Sequence, residues 1–428
     1  MTTRTDRVSG EEAYALMREL FPLNRSLTGA GVRETLAVLR RRLPLTVVEV
    51  PSGTTVFDWP VPPEWTVRSA WIETPDGRRV ADFSRSNLHL LGYSTRIDAT
   101  LSLDELRPHL YVHDKPGLVP YRTAYWARDW GFCVSQEELA SLPVAGDYRV
   151  HIDASLEPGS LTYGELVLEG DSPSEVLLTT YVCHPSLAND NLSGVAMLAM
   201  LGEALSARGR RLTYRLLWSP GTLGPLCWLH ANPDARERVV HGLVVSCVGD
   251  PGPLTYKRSR RETATIDTAA AHVLATSGLA HRVVGWAPFG GDERQFCSPG
   301  FDLPVGAFSR SPAGSYPESH SSADDLEFVR PDALDESLRA LLGVLQVLEE
   351  DAVVVNRSPY GEPQLGRRGL YRAISGGAMT EPALLWVLNL SDGSRSLLEI
   401  AVRSGLPFAE IAAAATELEA HGLIGRIG

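Results

Sequence analysis

The 428-residue chain has only five cysteines, Cys133, Cys183, Cys227, Cys247 and Cys297, widely spaced and odd in number. No Cys-x-x-Cys pair occurs, which excludes the usual spacings of a structural zinc site or a dithiol redox motif, so the thiols are expected to be buried and reduced. Cys183 and Cys297 each neighbour a candidate site residue, but a nucleophilic thiol needs a paired base, and none can be assigned. Long hydrophobic runs are also lacking. No segment carries about 18 apolar residues without charges, and the N-terminal stretch MTTRTDRVSGEEAY has no apolar core of signal-peptide length, so a cytoplasmic chain with no membrane partner is expected. Positive charge is scarce as well: 40 Lys and Arg stand against 52 Asp and Glu, a formal net charge of -12. Nucleic acids and anionic membranes need a concentrated basic surface and are not expected as main partners. Two basic runs stand out locally. Arg40-Arg41-Arg42 reads as the solvated end of a helix, whereas Lys257-Arg258-Ser259-Arg260-Arg261 lies close to site candidates.

What is present is an ordinary globular composition, 44% hydrophobic and 21% charged, in a chain longer than a single core usually grows, so two or three units are expected. Residues 11–43 read as two amphipathic helices separated at Ser26-Leu27-Thr28-Gly29, because apolar residues recur at three- and four-residue spacing on either side. From Thr46 to about residue 150 the sequence turns to short Val-, Thr-, Trp- and Tyr-rich runs such as TVVEV, TVFDWPVP and YRVHI, cut by Pro and Gly, which describes a β-rich unit. Short apolar strands then alternate with helices, EVLLTTYVCH before NLSGVAMLAMLGEALSARG and RLTYRLLWSP after it. That pattern predicts a sheet with crossover connections and helices on both faces. Residues 332–354 read as a long closing helix. From about residue 360 two helix-like stretches end in LIGRIG, the layout of a winged helix-turn-helix unit. The tail is more acidic than basic and lacks a phosphate-gripping surface, which favours an interaction or oligomerisation role over DNA binding.

Two polar clusters could carry chemistry. His184 leaves an apolar strand and Asp190 follows in the turn before a helix, at the carboxyl end of a strand where ligands gather in open α/β sheets. An imidazole and a carboxylate there suit a borderline-soft divalent metal such as zinc, although the same pair could be a helix-capping Asp beside a packed His. The second cluster, Glu318-Ser-His-Ser-Ser-Ala-Asp-Asp-Leu-Glu327, surrounds His320 with hydroxyls and acids and gives it no apolar face to pack on. Asp324 or Asp325 could hold the free ring nitrogen of His320.

The segments Ala188-Asn-Asp-Asn-Leu-Ser-Gly194 and His320-Ser-Ser-Ala-Asp-Asp-Leu326 resemble the metal-binding signature of the zinc aminopeptidase, glutamate carboxypeptidase and glutaminyl cyclase superfamily. The whole chain, including Ser86-Asn-Leu-His-Leu-Leu-Gly-Tyr-Ser94 and Tyr256-Lys-Arg-Ser-Arg-Arg261, is similar to aminopeptidase-like proteins associated with polysaccharide biosynthesis. The resemblance implies an α/β fold with a mixed zinc-aminopeptidase-like sheet over residues 1–50 and 145–355, an inserted β-rich domain over 51–144 and a winged helix over 360–428. It implies one or two zinc ions held by His184, Asp190, Asp250 and His320, with Asp190 as the bridge. The superfamily's Glu-Glu pair, one base and one ligand, has no counterpart in Ser219-Pro-Gly-Thr-Leu-Gly224, and Ser186 stands where an aspartate orients the first histidine.

Another carboxylate must then supply the base, or the cleft only binds. Gly290-Gly-Asp-Glu-Arg-Gln295 is the obvious source, with Glu293 as base or extra ligand beside Asp292, and Glu318 as second choice; a solvated charged loop is the competing reading. Arg258, Arg260, Arg261 and Arg294 could grip a substrate carboxylate or phosphate, since the guanidinium fork fits either. The expected function is hydrolysis of an amide or peptide bond in a small, anionic amino-acid or glycan-related conjugate by a homo-oligomer. The alternatives are a non-catalytic metal-containing scaffold and a metal-assisted acyl transferase.

Overall fold

The computed structural model describes residues 8–370 and 380–427. Eight strands form one central sheet in the order Thr46–Pro51, Ser160–Leu168, Thr213–Ser219, Glu175–Tyr181, Val239–Val245, Val305–Ser309, Leu254–Lys257 and His281–Val284. The four middle strands run parallel, and antiparallel pairings flank them on both sides, so the sheet is mixed as expected. Every residue of Glu175–Tyr181 is buried, which is why that strand reads as a continuous apolar run rather than an alternating one. Side chains still alternate between faces. Val176 and Leu178 join one core and Leu177 the other.

The strand that follows Glu175–Tyr181 in sequence, Thr213–Ser219, pairs along one of its edges, and the next, Val239–Val245, along the other. Strand order therefore reverses at the carboxyl end of Glu175–Tyr181, where a crevice opens in sheets of this kind. Helix Gly194–Ser206 packs closely beside that point because residue 194 is glycine. A Cβ there would meet Thr180 Oγ1 and the Val245 carbonyl at 2.6 Å, and Asn191 Oδ1 closer still. Helices Gly10–Leu20 and Ala30–Arg40 form on either side of the predicted break. The basic run at the end of the second is tied by ion pairs from Arg41 to Glu19 and from Arg42 to Glu12 and Glu203.

The inserted unit carries a four-stranded antiparallel sheet in the order Arg79–Val80, Glu64–Glu73, Tyr148–Glu157, Ile97–Leu101. The strand Tyr148–Glu157 opens with the YRVHI run that reads as β-rich but lies beyond the boundary implied at 144. Its pairing with strands on both sides places it in the insert, so the insert ends near residue 158. The closing helix runs Pro331–Glu350 and stops short of the predicted end. Val353–Asn356 is instead the central strand of a three-stranded sheet with Asp392–Ser396 and Ile424–Ile427. The winged unit thus begins before residue 353, earlier than the expected 360.

Within that unit, Leu397–Ser404 and Phe408–Ala420 form the helix-turn-helix, with Gly405 in the left-handed region (φ 72°) at the turn. Its apolar side chains belong to the same core cluster as one face of the central sheet. Pro407 and Phe408, which open the second helix, line a cleft of about 300 Å³ against Val273, Leu279, Gly343 and Val347. The end of the helix that a DNA-binding unit would offer to a groove faces the body of the protein here. All five cysteines are buried and unpaired. Among the described residues, no helix is long and apolar enough to cross a membrane.

Candidate metal centre

His184, Asp190 and His320 converge at the carboxyl end of the central strand, and one donor atom from each lies within 4.8 Å of the others. Asp190 is fully buried at the centre. Its Oδ1 lies 3.4 Å from His184 Nδ1, and its Oδ2 lies 3.1 Å from His320 Nε2. Neither His184 Nδ1 nor Asp190 Oδ2 has a hydrogen-bond partner. Buried polar atoms are rarely left unpaired, and two unpaired atoms within one cluster of three ligand-type side chains fit a cation. Two imidazoles and one carboxylate, with the remaining positions open, are the donor set of a catalytic zinc site.

The electrostatics agree. Burial alone would raise Asp190, but the two imidazoles outweigh it and hold the carboxyl at about 2. Burial lowers His184 to about 4 despite Asp190, so its ring is neutral and its lone pair free at neutral pH. His320 has a half-exposed side chain; burial opposes its charged form, but Asp190 prevails and raises it. Metal binding competes with that proton.

The surrounding residues position the three. Arg25, in the connection between the first two helices and just ahead of the predicted break, is buried, and its guanidinium donates only to carbonyls, Nε to His184 at 2.8 Å, Nη2 to Pro185 at 2.6 Å and Nη1 to Leu20 at 2.6 Å. Burial without a carboxylate partner lowers it to about 9. Asp324 was expected to hold the ring of His320. It clamps the other ligand's backbone instead, accepting from the N–H groups of Asn189 at 2.5 Å and Asp190 at 3.0 Å. Burial, with Asp190 adding to it, raises Asp324 to about 7. Asp325, the other residue expected there, accepts from the Glu327 and Phe328 N–H groups. Ser186 turns away to donate to the Phe21 carbonyl at 2.6 Å and to accept from Asn87 of the insert at 2.9 Å.

The insert also reaches the centre. Tyr121 packs edge-on against both histidine rings, with centroids 5.1 Å from His184 and 5.4 Å from His320. Its N–H donates to the His320 carbonyl at 2.7 Å, and Ser322 N–H donates to Val119 at 2.8 Å. This bridge holds His320 at φ 53°, a region that costs a non-glycine residue on the order of 1–3 kcal/mol. Neither Tyr121 nor Arg25 was anticipated from sequence.

Several expected site residues lie elsewhere. Asp250 is not in the cluster. Its Oδ1 accepts from Gly252 N–H and Ser311 Oγ, both at 2.7 Å, and its Oδ2 from Asn189 Nδ2 at 3.0 Å and Ser311 N–H at 3.1 Å. Glu293 is buried in an ion pair with Lys257 at 2.7 Å rather than at the centre. Asp292 accepts from Thr222 N–H at 2.7 Å, at the turn after Thr213–Ser219, and keeps Oδ2 unpaired. Burial pushes it up to about 7. The solvated-loop reading is excluded for both acids. Arg260 and Arg261 pair with Asp302, and Arg258 donates to the Glu262 carbonyl. Arg294 is exposed and, like those three, is outside the cluster. The cation that acts electrostatically on His320 is Arg122, exposed on the insert beside Tyr121.

Comparison with known proteins adds a frame to this geometry. A family model described as a domain of unknown function (DUF4910) matches residues 14–351, and a winged helix-turn-helix model matches residues 352–426. A Clostridium acetobutylicum protein, named for polysaccharide biosynthesis and an aminopeptidase-like domain, is 45% identical over 416 residues, which is 96% of this chain and 95% of that one. A crystal structure from the same organism, named as a peptidase, superimposes with a TM-score of 0.93 at 43% identity, covering 98% of this chain and 96% of that one. The zinc aminopeptidase of Bacillus subtilis shares the fold, with a TM-score of 0.56 at 13% identity over 80% of this chain and 95% of that one.

Proposed function

The chain belongs to the DUF4910 family of aminopeptidase-like proteins with a C-terminal winged helix, and from that premise we propose that it is a zinc-dependent hydrolase of an amide or peptide bond in a small amino-acid or glycan-related conjugate. The observation that carries this reading is the pair of orphaned atoms, His184 Nδ1 and Asp190 Oδ2, facing His320 at the switch point of the sheet. His184, Asp190 and His320 would hold the ion. A zinc ion held by these residues would supply Lewis-acid chemistry, polarisation of the scissile carbonyl and activation of a water.

The chain's own residues do the rest. Arg25 and Asp324 fix the backbones that present His184 and Asp190, and the Tyr121 segment fixes His320. Tyr121 also shields the imidazoles from one side. Of the two acids expected to accept a proton, Asp292 is the better suited. Its raised value near 7 and its unpaired Oδ2 suit proton transfer near neutrality, whereas Glu293, though one of its oxygens is also unpaired, is ion-paired to Lys257. Support for an anionic substrate moves from Arg258, Arg261 and Arg294 to Arg122.

A second reading, a metal-containing binding protein without turnover, draws on one observation. Among the described residues the cluster contains no carboxylate besides Asp190. Purified protein and an Asp190→Ala variant, assayed on a panel of amino-acid amides, short peptides and acylated amino sugars, test the proposal. Turnover that needs both zinc and Asp190 supports the hydrolase; turnover that survives in the variant rejects it, and stoichiometric zinc without any turnover favours the binding protein.

A further inference from the structure

We propose that the centre takes a single metal ion, because the chain's own hydrogen bonds close the second position that the related fold would offer. This inference rests on the reading of His184, Asp190 and His320 as a metal site. A carboxylate oxygen that already accepts a hydrogen bond has one of its lone pairs occupied, which leaves less room for a cation. Asp190 has one oxygen free of such a donor. Oδ2 is unpaired, but Oδ1 accepts from the Tyr181 hydroxyl at 2.6 Å. Tyr181 is itself buried at the end of the central strand, and among the described residues its other hydrogen-bonding neighbour is Cys247 Sγ, a weaker partner at 3.8 Å.

Asp250, which ends the segment after the neighbouring strand Val239–Val245 and which the resemblance offers as a further ligand, is withdrawn from ligation as well. Four donors saturate it, two from Ser311, one from Gly252 and one from Asn189, and the residue is 1% exposed. Withdrawing the carboxylate to bind a cation would strand buried donors. The third side, the turn after Thr213–Ser219, carries no carboxylate of its own. The acid that reaches this turn, Asp292, spends one oxygen on Thr222 N–H. A tyrosine hydroxyl on Asp190, a saturated aspartate and a turn without acids are independent features, and together they leave a second ion short of ligands.

The test is metal stoichiometry, a readout separate from turnover. The full-length chain is stripped with a chelator and titrated with Zn²⁺ by calorimetry, with elemental analysis after gel filtration, and a parallel sample is loaded with Co²⁺ for electron paramagnetic resonance. We expect one ion per chain, an isolated high-spin cobalt signal, loss of the ion in His320→Ala, and retention at wild-type affinity in Asp250→Asn. Two ions per chain, a spin-coupled cobalt pair, or loss of the ion in Asp250→Asn overturns the inference and leaves the metal reading standing. An empty wild-type chain, or an ion that survives in His320→Ala, removes the metal reading and this inference together.

Discussion

Two aspartates stand at neighbouring strand ends of the central sheet, both buried, with opposite bonding. Asp190 keeps one oxygen unpaired between two imidazoles, while Asp250 accepts four hydrogen bonds on two oxygens. Burial does not distinguish them; the supply of donors does. A buried carboxylate with its donors in place is structural, and one from which donors are withheld has its free energy available for a ligand. The same contrast separates the arginines. Arg25 spends its fork on carbonyls that fix a ligand loop, whereas Arg260 and Arg261 spend theirs on Asp302 at the surface.

The sharpest way to break the contrast is to remove the open carboxylate. Asp190→Ala should lose the ion and all zinc-dependent turnover, read by elemental analysis and the substrate panel; retained stoichiometric metal would show that the withheld donors mean nothing. Next in size is Arg25→Met, which leaves the fold's apolar volume but frees the His184 and Pro185 carbonyls. Loss of such an orienting contact should weaken metal affinity by roughly 10–100-fold, and calorimetry giving wild-type affinity would reduce Arg25 to a packing residue.

The saturated aspartate should respond differently. Ser311→Ala removes one 2.7 Å donor from Asp250. It should cost about 1 kcal/mol of unfolding free energy in urea and leave metal content untouched; a fall in metal content would place Asp250 at the ion. The smallest effect concerns Asp292. Its folded value is raised to about 7, above the ordinary carboxylate range, so the folded state holds the proton more tightly than the unfolded one. Its contribution to stability is greatest at low pH and is lost as pH rises from about 4 to about 7. Asp292→Asn should remove that decline from the stability profile of the metal-free protein, and an unchanged profile would show the group to be unperturbed.

Much of the architecture was legible because it follows from local pattern. The buried run of Glu175–Tyr181, the helix after it and the two histidine clusters all announce themselves over a few residues. What was misread depends on partners far away in sequence. Asp250 looks like a ligand until Ser311 is seen beside it, 61 residues on. Arg261 looks free until Asp302 is seen, 41 residues on. Tyr121 and Arg25 carry no local signature at all, the first in an irregular stretch of the insert and the second in a helix break that reads only as punctuation. The strand Val353–Asn356 was the exception, since its run of three valines is a β-branched signal that was absorbed into the apolar stripe of the preceding helix.

The bridge from Tyr121 to the His320 carbonyl makes ligation and the docking of the two lobes one equilibrium seen from two ends. Whatever binds Asp190, His184 and His320 together must also draw the insert onto the α/β unit, and whatever holds the insert in place must by reciprocity raise affinity at the centre. An ion held there would work as a clasp as well as a reagent, and chelation should be felt first as a loosening of the seam between the lobes.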